Sequence, residues 1–140
     1  MNFDGKTGIK QTCLRGPAQV ISPGATVTTG SITPSGYRHA LFHVQTAITG
    51  ARVVTGKIEH SEDGSTNWTE VSGTSFSMSV AAGDGTEGLR SILVAHDAAR
   101  EYLRVSLTQG GGTNVAPVVG VIQFNPAVDL GLSTFNLVVN

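Results

Sequence analysis

Residues 37–47 read Tyr-Arg-His-Ala-Leu-Phe-His-Val-Gln-Thr-Ala, and their alternation decides the fold class. Ala40, Phe42 and Val44 fall on one side of an extended chain, with Arg38 and Thr46 at its ends. Tyr37, His39, Leu41, His43 and Gln45 fall on the other. Successive side chains of a strand point to opposite faces, so a period of two marks a strand with one face buried. The same period recurs downstream. Phe76, Met78 and Val80 alternate with Ser75, Ser77 and Ser79 within 74–80. Leu103, Val105 and Leu107 alternate with Arg104, Ser106 and Thr108 within 101–109. Further extended segments are expected at 18–21, 25–32, 53–62 (with Val54, Ile58 and His60 on one face), 68–71, 91–95 and 115–124. Pro117 places the last of these at a sheet edge or makes Val118 its true start. A single helical turn is expected at 96–100.

Composition agrees with this pattern. The 140 residues include 16 Thr, 16 Val and 12 Ser but three Lys. β-branched side chains suit a pleated, half-buried surface. Eighteen Gly and five Pro interrupt the chain too often for long helices. Turn signals stand at Ser22-Pro23-Gly24, Pro34-Ser35-Gly36 and Asp63-Gly64. About eight strands, spaced without a fixed repeat and without intervening helices, predict an all-β antiparallel β-sandwich. A jelly roll is one arrangement this pattern admits. Three parts are expected: an N-terminal arm at 1–16, a sandwich domain at 17–124 and an apolar C-terminal arm at 125–140. The arms rest on the lack of a clear period in 1–16 and on the break at Pro126.

Charge narrows the function. Nine basic and ten acidic residues leave a net charge of −1, and only 14% of residues are charged. Nucleic-acid binding needs a clustered excess of Lys and Arg, so it is not expected. A surface with so few charges is poorly protected from self-association. No apolar run reaches the length of a membrane span, and residues 1–10 do not read as a signal peptide. The single cysteine, Cys13, excludes an internal disulfide and any multi-cysteine zinc site.

Chemistry-bearing patterns are missing. HExxH, GxSxG, a phosphate loop and an EF-hand loop do not occur. His39 and His43 sit about 13 Å apart along one strand and cannot share a metal by themselves. A pairing of His43 with His60 is conceivable only if their strands are neighbours. Gly83-Asp84-Gly85 offers one carboxylate where a calcium loop needs several. An enzyme is not expected, nor a cofactor or a metal.

The most distinctive segment runs from Lys57 to Val71. Ser61, Asp63, Gly64 and Trp68 form a candidate structural hairpin, with Gly64 permitting positive φ and Trp68 expected to plug the core. The string S-x-D-G-x-x-x-W-T-x-V from Ser61 to Val71 resembles one found in small β-sandwich virion proteins of tailed bacteriophages. The Gly- and Thr-rich chain and the strand at 102–107 are similar to that group too, so the resemblance spans about 37–124. Discoidin-like carbohydrate-binding domains carry a related hairpin, D-G-x-x-W. Here three residues separate Gly64 from Trp68, and their bracketing cysteine pair is missing.

The resemblance implies a bacteriophage structural protein of the virion, assembled in the host cytoplasm. It implies a capsid decoration (cement) protein that binds the major capsid protein and copies of itself. By analogy the homo-oligomer is a trimer. The alternatives are a head-tail or tail component, or a carbohydrate-binding module using Trp68, Tyr37 and the loop at Asp84. Candidate interface residues are Phe135, Leu137 and Val139 in the C-terminal arm and Lys6, Lys10 and Arg15 in the N-terminal arm. The core is expected to include Phe42, Val44, Ile58, Leu103, Val105 and Leu107 besides Trp68.

Overall fold

The computed structural model describes residues 9–16, 19–48, 52–79, 87–112 and 114–125. Nine strands occur among them: β1 (Ile9–Arg15), β2 (Thr26–Thr28), β3 (His39–Ala47), β4 (Val53–Ser61), β5 (Thr69–Glu70), β6 (Phe76–Ser79), β7 (Glu87–Ala95), β8 (Tyr102–Gln109) and β9 (Val118–Phe124). One 3-10 turn, His96–Ala98, joins β7 to β8. The strands form two antiparallel sheets, β1-β9-β3-β7 and β2-β8-β4-β5, with β6 also paired to β4.

That order is the jelly roll. β5 and β6 lie one after the other along the same edge of β4. Counted as one position, they make eight, and the chain pairs as a long hairpin: β1 with β9, β2 with β8, β3 with β7, β4 with β5 and β6. Rolling that hairpin brings β3 beside β9 and β4 beside β8, which splits the pairs between two sheets.

The alternation seen in sequence fills the space between the sheets. Phe42, Val44, Ile92, Val94, Val119 and Val121 come from one sheet. Val54, Ile58, Met78, Leu103, Val105 and Leu107 come from the other, and all twelve are at most 1% exposed. Gly56 matters here because a Cβ would stand 2.5 Å from the Phe76 ring and 2.8 Å from Leu107. Where β5 ends and β6 has not begun, Thr74 replaces the missing backbone partner. Its hydroxyl accepts from Ile58 N at 3.1 Å and lies 2.7 Å from Val71 O. Arg90 bridges the two sheets by donating to Ser77 O at 2.8 Å.

A buried polar cluster closes one end of the sandwich. The Gln123 amide donates to Thr33 O at 2.7 Å and lies 3.2 Å from His96 Nε2. His39 stacks on Phe124 with ring centroids 5.5 Å apart. Burial first, and then the neighbouring His39, hold the His96 pKa down at about 4, with Asp97 pulling the other way.

Several expectations are corrected. Ile9–Arg15, expected as part of an arm at 1–16, is strand β1, paired along its length with β9 and interrupted by one bulge between Cys13 and Arg15. It shows no period because Ile9, Lys10 and Gln11 are exposed on both faces of this edge strand, and only Leu14 packs against the core. The segment at 18–21 contributes one bridge, Ile21 to Val115, rather than a strand. β7 begins at Glu87, four residues before the extended segment expected at 91–95. Of the two readings of Pro117, Val118 as the true start of β9 holds and the edge position does not, since β9 lies between β1 and β3. β3 and β4 belong to different sheets, so His43 and His60 are not on adjacent strands.

Candidate interaction surfaces

The Ser61–Trp68 segment leaves β4 through a turn built on one carboxylate. Asp63 Oδ1 accepts the amides of Ser65 at 2.9 Å and Thr66 at 2.8 Å, and Oδ2 accepts the Thr66 hydroxyl at 2.6 Å. Ser61 Oγ lies 2.6 Å from Thr66 O and accepts the Gly64 amide at 3.2 Å. The Thr66 hydroxyl and amide, then the Ser65 amide and the Ser61 hydroxyl, hold the Asp63 carboxyl far below the usual carboxylate range. Gly64 takes φ +73°, and a Cβ there would meet the Tyr102 ring at 2.8 Å. Ser61, Asp63 and Gly64 thus come together as one tight, self-satisfied turn.

Trp68 is placed otherwise than expected. Thr69 pairs with His60 and Glu70 with Glu59, so Trp68 shares the parity of Glu70 on the outer face of the sheet. It is half-buried and stands outside the core. The Arg104 guanidinium covers its ring 4.0 Å from the centroid and binds Glu59 at 2.9 Å. Lys57 reaches the same carboxylate at 3.7 Å. One face of Trp68 is therefore occupied by a cation.

Beyond this network the same outer face is hydroxylated. Thr26, Thr108, Thr55 and Ser77 stand in one cross-strand row over β2, β8, β4 and β6. Thr26 and Thr108 are joined at 2.8 Å. Thr55, Lys57, Ser75, Ser77, Ser106 and Thr108 line a shallow cleft of about 560 Å³.

The opposite outer face, of the β1-β9-β3-β7 sheet, differs in kind. Register places Ile9, Gln11 and Cys13 of β1 beside Phe124, Ile122 and Gly120 of β9. These stand beside His39, Leu41 and His43 of β3. No Lys, Arg, Asp or Glu occupies any of these outward positions. Ile9 is 60% and Val118 38% exposed. Cys13, His43, Val118, Gly120 and Ile122 help line a groove of about 310 Å³.

Of the charged interface candidates, Lys10 is exposed on β1. Arg15 is 9% exposed and donates to Gln19 O at 2.7 Å, so it braces its own chain instead of reaching outward. Lys6, Phe135, Leu137, Val139 and the Asp84 loop lie outside the described residues. Tyr37 is half-buried beside the turn at Pro34, to whose carbonyl its amide donates at 2.9 Å. Among the described residues no three His, Cys, Asp or Glu side chains gather as metal ligands. The uncharged outer face escaped the sequence reading because it requires β1, β9 and β3 to be neighbours.

No family model and no curated protein matches this sequence. Solved structures do match in fold. A chain in the structure of infectious bursal disease virus, Gx strain, superposes over 84% of this chain with a TM-score of 0.52 and 11% identity. A chain of the Gt strain of that virus covers 85% with a TM-score of 0.48 and 11% identity. This chain spans 32% of the length of each. At that identity the likeness is one of fold.

Proposed function

We propose that this protein is a non-enzymatic structural component of a virion and, within that class, a capsid decoration (cement) protein. In this reading it binds the major capsid protein and copies of itself, as a trimer by analogy, and is assembled in the host cytoplasm. The observation that carries the reading is the jelly roll, shared over 84% of the chain with a chain of a virus structure. Jelly rolls build both capsid domains and lectins, so the surfaces decide between these uses. A capsid contact is served by a broad face without formal charge, and the β1-β9-β3 face is one. A sugar-stacking role needs a free aromatic face, whereas Arg104 covers one side of Trp68. The assignment to tailed bacteriophages rests on the 61–71 string.

The test is to add purified protein to capsids of the parent virus that lack it. Saturable binding to capsids, with a higher temperature of particle disruption, is the expected result. Binding to necks or tails alone would move the protein to the head-tail or tail class. Glycan binding lost in Trp68→Ala, with no particle binding, would replace the reading by a carbohydrate-binding module.

A further inference from the structure

We propose that the cleft on the outer face of the β2-β8-β4-β6 sheet binds an acidic sugar residue, with the sugar's carboxylate on Lys57 and its hydroxyls on Thr55, Ser77 and Ser106. The inference goes beyond the decoration reading and is independent of it, because it concerns a different face of the molecule. The cleft lies where β4 changes partners. The last pair of β4 with β6 is Gly56–Phe76, and its first with β5 is Glu59–Glu70. Lys57 falls between the two and stands across from Ser106 of β8. The volume of about 560 Å³ lies within the roughly 300–1,000 Å³ of small-molecule sites.

Ser106 is the observation that marks the cleft as a binding site. It sits between Val105 and Leu107, which are fully buried in the core, so its own side chain takes the outer face. Ser106 is nevertheless 7% exposed, and its hydroxyl has no hydrogen-bond partner among the described residues. Buried hydroxyls are as a rule paired, and this one lines an open cleft. Thr55 and Ser77, paired across β4 and β6, are exposed beside it, and their hydroxyls also have no partner among the described residues. Three hydroxyls thus border one cleft with their hydrogen-bonding capacity unused by the fold.

Charge selects the ligand. Lys57 is the one formally charged side chain among the described residues lining the cleft. Its side chain is 40% exposed and its ammonium stands 3.7 Å from Glu59, a carboxylate that Arg104 already binds at 2.9 Å. Glu70 pairs across from Glu59 but does not line the cleft. Two cations therefore share one carboxylate, and an anion in the cleft gives Lys57 a counter-charge of its own. Ser and Thr hydroxyls both donate and accept, as sugar hydroxyls do. A nucleic-acid strand needs a row of cations instead of one. A peptide adding as a strand needs a free sheet edge, whereas β8 and β4 run inside their sheet. Phe76 is 9% exposed and offers no stacking face, so binding rests on charge and hydrogen bonds.

The test titrates the isotope-labelled full-length chain with the methyl glycosides of N-acetylneuraminic acid and glucuronic acid, followed by amide NMR shifts. Methyl glucoside and acetate are the controls. Saturable shifts centred on Thr55, Lys57, Ser77 and Ser106 are expected with at least one acidic sugar and not with either control. Lys57→Met keeps the aliphatic stem and removes the charge, and should weaken binding about tenfold. Ser106→Ala should weaken it about fivefold. Its melting temperature should not fall, because the hydroxyl it removes bonds to nothing in the fold. No saturable shift with either acid would overturn the inference. Equal binding of methyl glucoside would remove the charge from recognition, and equal binding of acetate would reduce the site to an ion pair; each overturns it. Unchanged affinity in both variants, or a clearly lowered melting temperature for Ser106→Ala, would overturn it too. Particle binding tests the decoration reading separately, so either can fail alone.

Discussion

Phe42 and Leu103 show what a single residue contributes. Each is fully buried between the sheets. Truncating such a side chain removes transfer free energy and leaves a cavity, so Leu103→Ala should cost about 2–5 kcal/mol and Phe42→Ala about 3–5 kcal/mol. Urea unfolding monitored by circular dichroism checks both, and unchanged midpoints would refute the core assignment. His96 is a different case. Its pKa is held down at about 4 from an ordinary value of 6.5, chiefly by burial. A group whose folded pKa is depressed binds fewer protons folded than unfolded. Its contribution is complete above about pH 6.5 and shrinks as pH falls toward 4. The geometry agrees, because the Gln123 amide hydrogen directed at His96 Nε2 needs a lone pair there. Stability should therefore fall between pH 6.5 and 4.5, and a His96→Gln variant should show a shallower fall. Equal slopes in both proteins would place the acid sensitivity elsewhere.

The elements differ in how far sequence alone reveals them. β3, β6 and β8 show their inward side chains in plain alternation because one face of each is buried along its length. β1 does not, because its side chains from Ile9 to Thr12 meet solvent or the open sheet edge. The 61–68 turn was readable in its residues, Ser61, Asp63 and Gly64, since turn chemistry is local. The place of Trp68 was not, since the face it takes depends on its register against β4. Asp63 accepts from Ser65 and Thr66 and orders the return of the chain into β5. Asp63→Ala should therefore lower stability at neutral pH. Its effect should shrink as pH falls below about 4, where the unfolded chain takes up a proton that the folded carboxyl, held far below the usual range, still refuses. Melting temperatures at pH 7 and pH 3 check this, and an equal difference at both would refute it.

For the whole molecule, the jelly roll sets two unlike faces back to back: a hydroxylated one over β2-β8-β4-β6 and one without Lys, Arg, Asp or Glu over β1-β9-β3. Assembly belongs to this scale because no single residue makes either face. Deleting residues 135–140 should leave the circular dichroism of the domain intact and weaken self-association or docking to the particle. Sedimentation and particle binding of truncated and full-length chains measure it. Full binding by the truncated chain would remove the tail from the interface, and its global unfolding would make the tail part of the domain.

The sequence by itself determined that the chain is built of strands, which side chains of β3, β6 and β8 point inward, and where the sharp turns fall. Each of these is set by interactions over a few residues: the pleat's period of two and the φ preferences of Gly, Pro and Asp. Only the tertiary structure decided which strands are neighbours. β1 pairs with β9, at the other end of the described chain, and β3 lies in a different sheet from β4, its successor. The outer face without formal charge, the displaced Trp68 and the separation of His43 from His60 all follow from those pairings. Register is chosen by side chains meeting across distant strands, and that choice has no local signature for a sequence to show.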